Sequence, residues 1–128
     1  MTDLVRDCVI GDVYEIFLDA TQTTTPKRTY CICVHEKWFF AIHTSEMNTD
    51  NLPIKKSDHP FLDHDSHVKC GYVLELDENQ PITRHLGSLS DKQLGELIDM
   101  VECAEGLTGV EKRPISKSLT NIQTKRKK

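Results

Sequence analysis

The chain has 128 residues, 38% of them hydrophobic and 28% charged, with a formal net charge of −4. This length favours a single core, and the lack of any apolar run of about 18 residues excludes a membrane-spanning helix. The N-terminal stretch MTDLVRDCVI has neither the basic nor the apolar segment of an export signal, so the expected location is the cytoplasm, away from membranes.

The charge is unevenly placed. Residues 111–128 hold seven Lys and Arg against the single Glu111, a net +6, which leaves −10 on the first 110 residues. An acidic globule lacks the broad cationic surface of a general nucleic-acid binder, so any phosphate contact by it must be local. The five cysteines cannot all pair within one chain and include no CxxC, which argues against a disulfide framework. Cys31 and Cys33, two residues apart in an apolar run, suit one face of a strand, packed as small hydrophobes.

In chain order, DVYEIFL (12–18) is the first predicted strand, entered through Gly11 and Asp12. DATQTTTPKR follows as a loop, since its Thr residues and Pro26 favour local backbone hydrogen bonds over a periodic face. TYCICV (29–34) and WFFAIHT (38–44), separated by HEK, predict a hairpin of buried strands. Ile54, Val68 to Cys70 and Tyr72 to Leu76 predict further short strands. Between them SDHPFLDHD forms a structured loop that Asp65 and Ser66 lock through an Asx-turn. So many short strands suggest a small barrel.

One helix is predicted from Ser90, where Ser90-x-x-Gln93 has capping-box spacing and Leu94, Leu97, Ile98 and Val101 form an apolar stripe. Gly106 or Gly109 is expected to end it in a left-handed conformation. The expected organisation is therefore a domain over 1–110, mainly β with one C-terminal helix, followed by a basic disordered tail over 111–128.

GDVYEIFLD (11–19), a polar loop ending in Arg28 before an apolar strand, AIHTS (41–45), LDHDSHV (62–68) and LGSLSDKQLGELIDMVECAEGL (86–107) occur in the order found in PemK/MazF toxins. The pattern resembles that family, in a divergent PemK-like form, over roughly residues 9–107. The resemblance implies an SH3-like β-barrel with one C-terminal helix, a homodimer, and a metal-independent endoribonuclease acting on single-stranded RNA under restraint by an antitoxin. By position it assigns catalysis to Arg28 and Thr44. The sequence departs from the family where Thr29, rather than proline, follows Arg28.

Metal-free RNA cleavage needs a base for the 2′-hydroxyl, donors for the charge on the phosphoryl oxygens, and an acid for the leaving 5′-oxygen. Arg28 suits the second role through the forked geometry of its guanidinium. Thr44, where a strand emerges, offers a hydroxyl, and His43 points to the opposite face. RNA contacts are expected from Lys27, Ser45, His59, His64 and His67, with no metal and no cofactor. Two other readings use the same residues. One is a non-catalytic SH3-like binding module for protein or nucleic acid; the other is a metal-dependent hydrolase centred on the histidines and carboxylates of residues 58–67.

Overall fold

The computed structural model describes residues 3–19, 26–44 and 50–126. Seven strands, β1 Asp12–Leu18, β2 Lys27–His35, β3 Trp38–His43, β4 Asn51–Ile54, β5 Ser66–Lys69, β6 Leu74–Glu75 and β7 Arg84–Ser88, precede helices α1 Asp91–Cys103 and α2 Gly109–Arg126. The strands form one antiparallel sheet in the order β4-β5-β3-β2-β1-β7, and β6 also pairs with β3. The far edge of β3 is thus shared, with Ile42 and His43 on β5 and Trp38 and Phe39 on β6.

Side chains alternate across the sheet, and both faces are covered. One face carries Val13, Ile32, Val34, Phe40 and Ile42 against Leu94, Leu97 and Val101 of α1 and Ile115 and Leu119 of α2. The other carries Tyr14, Ile16, Leu18, Cys31, Cys33 and Phe39 against Val5, Leu76 and Ile82. Two-sided burial is why β2 and β3 read as continuous apolar runs rather than alternating ones. All five cysteines are free, and Cys31 and Cys33 share one face as expected.

Three expectations need correction. The sheet is open, with β4 and β7 as its edges. Pro53 in β4 has no N–H to offer along that edge, a placement typical of an outermost strand. Two helices, rather than one, follow the sheet. The stretch 111–128, expected as a disordered tail, belongs up to Arg126 to α2, in which Ile115 and Leu119 are fully buried. A capping box opens it: the Thr108 N–H donates to Glu111 Oε1, and the Glu111 N–H donates to Thr108 Oγ1. Finally, α1 does not end in a left-handed glycine, because Ala104 leaves it in extended backbone. Asp50 receives the Glu105 and Gly106 N–H groups instead, at 3.1 and 3.0 Å. Gly106 is required there because a Cβ would collide with the Gly71 carbonyl.

The start of α1 follows the sequence in part. Ser90 caps it by accepting from the Gln93 N–H at 3.2 Å. The returning half of the box is made elsewhere: the Gln93 side chain donates to the Pro53 carbonyl, and the Ser90 N–H donates to His59 Nε2 at 3.1 Å. An imidazole from a remote loop thus takes the position usually held by the third helical side chain.

Candidate functional site

The β2–β3 register pairs Tyr30 with Ile42 and Cys31 with Ala41. Beyond the Tyr30–Ile42 pair, Arg28 lies two residues further out along β2, on the same face as Tyr30, and Thr44 follows the end of β3. Both are exposed, and both line a depression of about 200 Å³ bordered by Lys27 to Tyr30 and Ile42 to Thr44. The two residues assigned to catalysis therefore lie together, with Lys27 on the same rim. Ser45 lies outside the described residues.

The neighbouring row of the sheet adds residues that motif reasoning did not select. Glu15 pairs with Tyr30 across β1–β2 and with Arg84 across β1–β7. Arg84 Nε reaches Glu15 Oε1 at 3.2 Å, and Arg84 Nη2 donates to the Tyr30 hydroxyl at 3.5 Å. That hydroxyl donates in turn to Asp63 Oδ2 at 3.2 Å. Burial, followed by the hydrogen bond to Asp63, raises the Tyr30 pKa and keeps the phenol protonated. The Glu15 carboxylate beside it raises the Arg84 pKa. Glu15 had a visible signal, a charged residue at an inward position of an apolar strand, whereas Arg84 lies in a strand whose sequence, RHLGS, lacks alternation.

The three expected histidines separate. His59 is 1% exposed. Its Nε2 accepts from the Ser90 N–H, so its Nδ1 carries the proton toward the Lys55 carbonyl at 3.3 Å. Both nitrogens are engaged within the fold, and His59 serves the helix cap rather than a ligand surface. His67 lies in β5 opposite His43, on the face away from Thr44. His64 alone of the three is exposed next to Asp63, whose carboxylate reaches Tyr30. Asp65 locks the loop over a longer range than an Asx-turn, its Oδ1 accepting from the Lys56 N–H, while Ser66 Oγ donates locally to the His64 carbonyl.

On the opposite face, His43 is half-buried and its pKa falls below 6.5, chiefly through burial and then through Lys27 and Lys69. Among the described residues no three His, Cys, Asp or Glu side chains are grouped so as to hold a metal ion, so the alternative reading of residues 58–67 as a ligand set has no cluster behind it. The three buried thiols offer no nucleophile, since burial pushes Cys70 up to about 12 and raises Cys31 and Cys33 as well. No helix among the described residues is long and apolar enough to cross a membrane. Compared with known proteins, the chain matches no family model and no curated protein.

Proposed function

We propose that the depression between Arg28 and Thr44 holds an RNA phosphodiester, and that the chain is a metal-independent endoribonuclease for single-stranded RNA. The observation that carries this reading is the convergence of a guanidinium and a hydroxyl, 16 residues apart in sequence, on one depression. The order of elements shared with PemK/MazF toxins adds support. It also extends the proposal to an SH3-like arrangement of the strands, a homodimer and a cognate antitoxin.

In this mechanism Arg28 grips two phosphoryl oxygens and Thr44 donates to one of them, so that both offset the charge that grows as the 2′-oxygen attacks phosphorus. Glu15, diagonal to Arg28 across β1–β2, is the carboxylate placed to take the 2′-hydroxyl proton. Tyr30, kept protonated, returns a proton to the 5′-oxygen as the P–O5′ bond breaks. The products are a 2′,3′-cyclic phosphate and a 5′-hydroxyl.

The test is cleavage of end-labelled single-stranded RNA in EDTA, with product ends assigned by mass. Arg28→Ala is expected to lower the rate by about 100-fold or more, the scale for loss of one charge-stabilising donor. An Arg28→Ala protein that cuts at the parent rate overturns the mechanism. One observation favours the non-catalytic binding module instead: Glu15 and Asp63 are both already engaged, by Arg84 and Tyr30. RNA bound at Arg28 but left uncut would establish that alternative.

A further inference from the structure

Phe17 is an anomaly in β1. Its strand neighbours Ile16 and Leu18 are buried, yet Phe17 is 51% exposed. It stands directly opposite Arg28 across β1–β2. It also lines a groove of about 750 Å³, larger than the depression next to it, whose walls include Asp77, Asn79, Gln80, Pro81 and Thr83. The groove is pinned to the strand where Gln80 Nε2 donates to the Phe17 carbonyl at 2.9 Å and the Thr83 N–H donates to the Glu15 carbonyl.

We propose that this groove binds a nucleobase of single-stranded RNA, with guanine preferred, next to the phosphate held at Arg28; the inference rests on the phosphate reading of that site. An exposed ring beside a cation is the pairing that single-strand binders use, with the base stacked on the aromatic face and the backbone held by charge. Carboxylates in the wall disfavour phosphate there and favour base edges that donate hydrogen bonds. Asp77 is exposed, and its Oδ1 receives the Asn79 N–H at 2.8 Å, which orients the carboxylate. Guanine presents N1–H and N2–H together to such a group. Adenine and cytosine present only an exocyclic amine, and uracil flanks its one N–H with two carbonyl oxygens that the carboxylate repels. The order of preference is therefore guanine, then adenine and cytosine, then uracil.

The experiment measures anisotropy of labelled, uncleavable 2′-O-methyl hexanucleotides, all uridine or with one central guanine, in EDTA. The guanine oligomer is expected to bind the parent about tenfold more tightly, a factor within the range of base stacking and base-edge contacts. Phe17→Ala should lose about tenfold for that oligomer, Phe17→Trp should retain binding, and Asp77→Asn should shrink the preference for guanine. Parent-like binding by Phe17→Ala, or an unchanged preference in Asp77→Asn, overturns the proposal. The two readings separate with Arg28→Ala and with guanosine, which carries no phosphate. RNA affinity lost in Arg28→Ala but kept in Phe17→Ala removes the base groove and leaves the phosphate site. Guanosine binding that depends on Phe17, with RNA affinity unchanged in Arg28→Ala, removes the phosphate site and leaves the groove. A parent that binds neither probe overturns the groove outright.

Discussion

His59 shows how a residue chosen for chemistry can be held by architecture. Its ring joins the 55–59 turn to the first turn of α1, and removing it leaves the Ser90 N–H without its partner, while the Lys55 carbonyl keeps the Asp58 and His59 N–H groups. His59→Ala is expected to cost about 2–4 kcal/mol, from an unsatisfied donor together with the cavity left behind. Urea denaturation measures this. Thr29 makes the opposite case, because its Oγ1 is buried without a hydrogen-bond partner among the described residues. Thr29→Val keeps the shape, removes the desolvated hydroxyl and suits a strand, so it should stabilise by about 1 kcal/mol in the same assay. His43 supplies a pH dependence. Its folded-state pKa lies below 6.5, so the unfolded chain binds the proton more readily. Its contribution to stability is present above about pH 6.5 and is lost as the pH falls toward the lowered value. Denaturation midpoints should therefore drop as the pH falls below about 6.5, and His43→Gln should flatten that drop.

At the scale of elements, legibility followed the range of the signal. β1 has the bounds its sequence predicts, the β2–β3 hairpin lies within two residues of its predicted bounds, and α1 begins at the predicted cap. Each of these depends on periodicity or capping within a few residues. β7 was missed because RHLGS has no apolar alternation and is a strand only through its pairing with β1. α2 was missed for two reasons. Its apolar residues are few, and Pro114 lies inside it, where the lost hydrogen bond frees the carbonyl of the largely exposed Val110 to face solvent. Thr108-x-x-Glu111 was the available start signal. Because Leu119 is fully buried, Leu119→Ala should destabilise by about 2–5 kcal/mol, whereas the same change in a disordered tail would have no effect. A thermal or urea melt decides between them.

For the whole molecule, the fold holds the basic last turn of α2 apart from the cation at the start of β2. The middle of α2 meets the far end of β2 where His35 Nδ1 lies 2.6 Å from Ser118 Oγ, and its last turn packs near Gly11 and Leu89. Arg28 lies at the other end of β2, about 23 Å away at the usual rise per strand residue. That exceeds the screening length of about 8 Å at physiological salt, so charges at the end of α2 contribute little to binding at Arg28. Lys125→Gln is expected to leave the affinity for a short RNA oligomer and its salt slope unchanged, while Arg28→Ala lowers both. Titrations at several salt concentrations check this.

The sequence alone determined β1 and the buried β2–β3 hairpin, where α1 starts, and that Arg28 and Thr44 sit at strand ends. Those properties depend on neighbours close along the chain, where alternation, turn chemistry and capping act. Tertiary structure decided that the sheet stays open, that the basic terminus folds back as a second helix, and that Glu15, Tyr30 and Arg84 form one polar row. It also decided that His59 caps a helix while Phe17 faces solvent beside Arg28. These outcomes follow from strand register and from packing between segments tens of residues apart, and no window along the chain contains both partners of such contacts.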